Sequence, residues 1–205
     1  RLGKAYEEKK MPIQAAAAYD LASETDRMGS YEEQIDTGLE KMRRKVTRKE
    51  YMQRIHWLKK AVPDIAISTD LIVGFPGETD EDFAETLSLV DECQFSFFYS
   101  FKYSKRKGTA ATRFADQVSE DVKDERLKRL NALQDEITVK QHHAEIGQER
   151  ETLFLYESKK EPGNYFGRTE HFRLVRVPAN RDLVGKRLKV RITGGNKIAL
   201  LGNLI

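Results

Sequence analysis

The stretch DIAISTDLIVGFPGETDEDFAETLSLV, residues 64–90, decides the fold. Its first ten residues, Asp64 to Val73, are rich in β-branched side chains and nearly unbroken in apolar character. That pattern suits a strand covered on both faces, as in a parallel sheet. GFPGET, residues 74–79, then interrupts the run with two glycines and a proline. Thr79 offers an N-cap side chain, and Asp80, Glu81 and Asp82 place acids where a helix dipole favours them. Phe83, Leu87 and Val90 recur at helical spacing and mark an inward face. A second apolar run, FSFFYSFKYS, occupies residues 95–104. Strand, helix and strand in this order make a βαβ unit with a right-handed crossover. Two parallel strands cannot close a sheet or barrel alone, so residues 31–146 read as a segment of a larger α/β barrel.

On the N-terminal side, Thr47 and Glu50 form a capping box for a helix whose apolar face is Tyr51, Ile55, Leu58 and Val62. Pro63 ends it. Tyr31 to Arg44 also reads as a helix, weakened by Gly38. Residues 1–30 read as a short helical hairpin and linker. Leu2, Gly3, Tyr6, Ala15, Tyr19 and Ala22 there resemble part of a tetratricopeptide repeat, in which small residues let two helices pack closely. Such a pair offers a surface to a protein partner.

On the C-terminal side, Ser119 opens a long amphipathic helix with Val122, Leu127, Leu130, Leu133 and Ile137 on one side, and Gly147 closes it. From residue 147 to 205 the pattern changes to short strands. Turns are expected at residues 162–164, 178–182 and 193–196. Regular short strands of this kind make a small antiparallel β-barrel, OB-like in character. The fold class is α/β followed by all-β.

Charge divides the chain the same way. The net charge is +3, yet residues 147–205 hold 12 Lys or Arg against 6 Asp or Glu, a balance of +6. The basic tail calls for an anionic partner. KRLKVRIT, residues 186–193, alternates cleanly, with Leu188, Val190 and Ile192 inward and Arg187, Lys189 and Arg191 outward in a row. Arg168, Arg173, Arg176 and Lys197 add cations, and Tyr165, His171 and Phe172 offer stacking surfaces. Read as plain structure, such a strand is a solvated edge that deters pairing. No apolar run approaches the roughly 20 residues of a membrane span. A single cysteine, Cys93, cannot form an internal disulfide or hold an iron–sulfur cluster, and it reads as a small buried residue in a cytoplasmic protein. The four histidines read as structural or solvent-facing.

ISTDLIVGFPGETDEDFAETL, FKYSKRKGTAA and DERLKRLNALQDEI together resemble the radical-SAM tRNA methylthiotransferases of the MiaB type. FGRTEHFRLVRVP and ALLGNLI resemble the TRAM domain that closes these enzymes. The likeness covers about residues 38–205. It implies that 31–146 is the C-terminal segment of a radical-SAM barrel and 147–205 an RNA-binding TRAM barrel. It implies an enzyme that adds a methylthio group to isopentenyl-adenosine beside the tRNA anticodon. It also implies S-adenosylmethionine and two 4Fe-4S clusters in the full-length family, the source of a 5′-deoxyadenosyl radical. The cluster motif CxxxCxxC is absent here, so a cluster-binding half is expected upstream, and this chain alone is not expected to be active.

Loops at the C-terminal ends of strands form the active face of an α/β barrel. In the family this region lies near S-adenosylmethionine, so the resemblance implies Gly74, Phe75, Gly77 and Glu78 as the cofactor-binding candidates, against the plainer reading that Gly and Pro shape a turn and Glu78 caps the helix. Lys105, Arg106 and Lys107 lie at the same end, where a phosphate or the cofactor carboxylate would meet them. The RNA-binding candidates are Arg106, Arg168, Arg173, Arg187, Lys189 and Arg191. In the family, proline often replaces Lys107 and asparagine commonly replaces Phe172. Two other readings stand beside this one: a non-catalytic RNA-binding or adaptor protein, and a related methylthiotransferase acting on a ribosomal-protein aspartate or threonylcarbamoyl-adenosine.

Overall fold

The computed structural model describes residues 46–205. The hairpin expected over 1–30 and the helix expected from Tyr31 to Arg44 lie outside the described residues. The chain divides into two compact units, residues 1–65 and 66–205.

The described part of the first unit is helix α1, Arg48–Ala61. Its start is the capping box read from the sequence. The Glu50 amide donates to the Thr47 hydroxyl at 3.3 Å, and the Thr47 amide donates back to the Glu50 carboxylate at 2.8 Å. That backbone donor holds the Glu50 pKa below its ordinary value. Lys59 and Lys60 sit in the last turn, where the dipole favours cations. Pro63 follows and cannot continue the ladder.

The second unit begins with strand β1, Ser68–Val73, then helix α2, Asp80–Cys93, and strand β2, Phe97–Lys102. The two strands pair in parallel from Ser68↔Phe97 to Val73↔Lys102, so the βαβ unit is present. Thr79 caps α2 through the Asp82 amide, as its position just before the acids required. A 3-10 turn, Ala110–Arg113, leads to helix α3, Glu120–Ala144, capped by Ser119. Helix α3 lies against one face of the sheet, where Ser100 donates to Asn131 at 2.7 Å and Lys102 meets Glu120 and Asp124. The opposite face is open: Ile72, Tyr99 and Phe101 are half exposed or more. The second cover that the sequence pattern expects is not supplied by the described residues of this unit. The unbroken apolar run suits a sheet with two covers, and among the described residues only the helical one is in place.

Strands β3 (Glu149–Glu157), β4 (Asn164–Thr169), β5 (Leu174–Pro178), β6 (Arg187–Gly195) and β7 (Leu200–Leu204) close into a barrel in the order β3-β4-β5-β7-β6. The expected barrel was wholly antiparallel; here β5 and β7 run parallel, with Val175 opposite Leu200. Five strands in a ring cannot all alternate in direction, so one parallel seam is forced. The core is Phe154, Tyr165, Val175, Val177, Leu183, Val190, Ile192 and Leu200. The bore is narrow enough to need glycine: a Cβ on Gly167 would lie 2.6 Å from the Leu153 carbonyl oxygen. Strand β6 alternates as read, with Val190 and Ile192 buried and Arg187, Lys189 and Arg191 exposed. It runs through Gly195, so the turn expected at 193–196 starts later. The turn at 170–173 carries no Gly or Asn and was not foreseen; Phe172 itself takes the left-handed conformation, φ 62°.

The end of α3 is tied to the barrel. Glu145 accepts from Arg173 at 2.9 Å and from Arg150 at 2.5 Å, and Arg173 also donates to the Gln141 side chain and carbonyl. Buried His142 stands 2.6 Å from the Asn196 carbonyl through Nδ1, which therefore carries the proton. Lys197 pairs with Asp135, two turns before His142 on the helix. No helix among the described residues is long and apolar enough to cross a membrane.

Burial, the largest influence, holds the His142 pKa below its ordinary value of 6.5. The unfolded chain takes up that proton first on acidification. The stability this group contributes is therefore full above about pH 6.5 and falls as pH drops through the lower folded value. Thermal unfolding between pH 7 and 5 should show the acid-side loss, and His142→Gln, which keeps a donor but does not titrate, should flatten it. Phe154→Ala is expected to cost about 3–5 kcal/mol in urea unfolding, because the closed barrel cannot collapse onto the void.

Candidate functional site

The GFPGET loop follows β1 and folds back on itself. Gly74 and Gly77 take φ values of 73° and 82°, open to glycine at little cost. Glu78 N–H donates to the Phe75 carbonyl at 2.9 Å, closing a tight turn, and Gly77 N–H donates to Asp116 at 2.8 Å. The Glu78 carboxylate turns inward and accepts the Gly74 amide at 3.0 Å through both oxygens. It does not cap α2; Thr79 and Asp82 do that. Phe75 packs edge-on against Tyr103 and Phe114.

Arg126 of α3, 48 residues away in sequence, locks this arrangement. Its buried guanidinium donates to the Glu78 carboxylate at 2.7 Å, the Glu78 carbonyl at 3.1 Å and Asp80 at 2.7 Å. Lys123, one turn earlier, runs beneath the loop. A Cβ on Gly74 would lie 2.3 Å from Lys123 Cγ, so glycine here admits a lysine stem. Neither Arg126 nor Lys123 was singled out from sequence. The signal available was a charged residue on the inward face of an amphipathic helix, where a buried charge implies a partner. The loop's donors at Gly74, Gly77 and Glu78 are thus all engaged within the chain.

The structure brings the expected RNA-binding residues together only in part. Lys105, Arg106 and Lys107 are exposed in the loop after β2, with Gly108 at φ 91°. Arg187, Lys189 and Arg191 line the outer face of β6. The neighbouring strand answers them with acids: Arg191 pairs with Glu149 at 2.5 Å, Arg187 with Glu151 at 3.5 Å, and Lys189 lies opposite Glu151 in register. Arg168 donates to the Phe172 carbonyl at 2.8 Å and covers the Phe172 ring at 4.6 Å. Arg173 turns inward onto Glu145, where its side chain serves the joint between helix and barrel. Tyr165 is a core residue. Cys93 is fully buried at the end of α2, and no group of metal-binding side chains occurs among the described residues.

Residues 25–90 match the Radical SAM superfamily, a stretch that begins ahead of residue 38, where the motif likeness starts. The tRNA-2-methylthio-N(6)-dimethylallyladenosine synthase of Clostridium botulinum (strain Okra / Type B1) is 43% identical over 167 residues, 82% of this chain and 37% of the relative. The synthase of the same description from Finegoldia magna is 41% identical over 167 residues, 82% of this chain and 36% of the relative. That of Geobacillus thermodenitrificans is 46% identical over 166 residues, 81% of this chain and 32% of the relative. The chain spans about a third of the length of the curated relatives it matches. With the βαβ unit and its GFPGET loop in place, the chain carries a Radical SAM superfamily segment and is similar over about four fifths of its length to these synthases.

Proposed function

We propose that this chain contributes tRNA binding and part of the S-adenosylmethionine pocket to a tRNA methylthiotransferase. The full enzyme adds a methylthio group to isopentenyl-adenosine next to the anticodon. In this reading residues 31–146 are the C-terminal segment of the radical-SAM barrel and 147–205 are a TRAM domain. The observation that carries it is a closed five-stranded barrel with an outward row of cations, following a radical SAM segment in one chain. The partner is tRNA, and the compartment the cytoplasm.

The GFPGET loop would offer S-adenosylmethionine an aromatic ring and a glycine-shaped turn rather than free backbone donors. Phe75 and Gly77 present the partly open surface. Gly74 and Glu78 hold that surface in place, because their amide and carboxylate are spent on each other and on Arg126. When bound, the cofactor supplies the radical chemistry of the family. The 4Fe-4S clusters do not fit this chain, whose one cysteine is buried, and no step through them is assigned to it. Arg106, Arg168, Arg187, Lys189 and Arg191 are the proposed phosphate contacts, with Arg173 positioning the barrel.

The single cysteine favours one second reading, a non-catalytic RNA-binding adaptor. Modified-nucleoside analysis of a strain lacking the gene separates the two. Loss of the methylthio group from isopentenyl-adenosine supports the enzyme reading. An altered threonylcarbamoyl-adenosine, or a mass change at a ribosomal-protein aspartate in intact-protein mass spectrometry of the same strain, assigns the related substrates, and unchanged nucleosides with unchanged ribosomal proteins support the adaptor.

Filter binding of tRNA to the full chain across a salt series should give a steep slope of log affinity against log salt. Replacing Arg187, Lys189 and Arg191 together by Ala should lower that slope by about 3. Unchanged affinity and slope would sink the β6 surface. Arg126→Gln should leave the inward carboxylate of Glu78 half-paired and cost about 3 kcal/mol in urea unfolding. A cost within about 0.5 kcal/mol would mean the latch carries no stability.

A further inference from the structure

Resting on the RNA-binding reading, we infer that the outer face of β3 and β4 is a stacking platform for unpaired bases, built on Tyr156 and Phe166. The two rings lie 5.4 Å apart at 15°, a stacked pair on the barrel surface. Tyr156 is 49% exposed. Strict alternation along β3 would send it inward, since Phe154 two residues earlier is a core residue. The register slips between Phe154 and Tyr156, and this bulge turns Tyr156 outward beside Leu155, both exposed. A bulge is a device for re-aiming one side chain, and here it places a large ring in water. Leaving that much apolar surface solvated is unfavourable unless something covers it.

The surroundings point to nucleic acid as the cover. Arg168 lies two residues from Phe166 on the same face, and Arg176 lies opposite Phe166 in register. Arg176 holds Asn164 and Glu161, and a phosphate would compete with Glu161 for it. A platform of two stacked rings with a guanidinium on each side matches a base and its flanking phosphates. The strip continues past Arg168 to the Phe172 ring, 55% exposed, which lies 5.9 Å from Phe97. The β6 cations, by contrast, face Glu149 and Glu151, so they steer phosphates without presenting a ring. Only unpaired bases expose a face to stack, because duplex bases are already stacked on each other. The specific partner is therefore single-stranded RNA, as in a loop or an everted base.

The test uses the full chain, a short fluorescent oligouridylate and a blunt RNA duplex of the same length. Wild type should bind the single strand more tightly. Tyr156→Leu and Phe166→Leu should each weaken single-strand binding about tenfold, with an unchanged salt slope, because stacking releases no counterions. Tyr156→Phe should bind like wild type, and thermal unfolding and circular dichroism should show all variants folded. Folded variants that bind the oligouridylate as wild type does would overturn the platform while leaving RNA binding by the barrel intact. Wild type that binds neither RNA would overturn the RNA reading and the platform with it.

Discussion

One carboxylate joins the two halves of the second unit. Glu145, at the end of the long helix, is nearly buried and shared between Arg150 and Arg173. A buried charge is tolerable only when it is paired and its remaining hydrogen-bonding capacity is used. Both of its oxygens are, and Arg173 passes the connection on to Gln141. His142 adds a neutral bond to the carbonyl of Asn196, and its side chain crowds Gly195, where a Cβ would come within 2.7 Å of His142 Cβ. These contacts set the barrel's position against the helix and hence against everything the helix touches.

The same helix carries a second joint at its other end. Arg126 and Lys123 hold the GFPGET loop, and the 25 residues of α3 span about 37 Å at a rise of 1.5 Å each. A rigid rod thus connects the proposed cofactor loop to the proposed RNA surface. Buried ion pairs of this kind are costly to desolvate and are weak sources of net stability. Their value here is geometric: each fixes one end of the rod in a single arrangement.

The local signals were legible in the sequence. Thr47 with Glu50, Thr79 before three acids, and Ser119 before an amphipathic run each named a helix start that the structure has. The period-two pattern of residues 186–193 assigned the faces of β6 correctly. What was hidden depended on pairing over long distances. Arg126 meets Glu78 only because the helix returns across the βαβ unit. The acids opposite Arg187 and Arg191 follow from the register of β3 on β6, and the outward turn of Tyr156 follows from a bulge that no residue type announces. The left-handed Phe172 was unreadable for a related reason: the turn lacks the glycine or asparagine that marks such positions. Among the GFPGET residues the motif was found, while the inward use of Glu78 was not.

The proposed RNA surface lies on the barrel, and the proposed cofactor loop on the βαβ unit. On the barrel, exposed cations would attract a phosphate backbone and exposed rings would reward an unpaired base. The most direct measurement is ultraviolet cross-linking of tRNA to the full chain, with the adducts mapped to peptides. Adducts on the β3 and β4 peptides that contain Tyr156 and Phe166 are expected. Adducts confined to residues 46–146, with none on the barrel, would contradict the assignment.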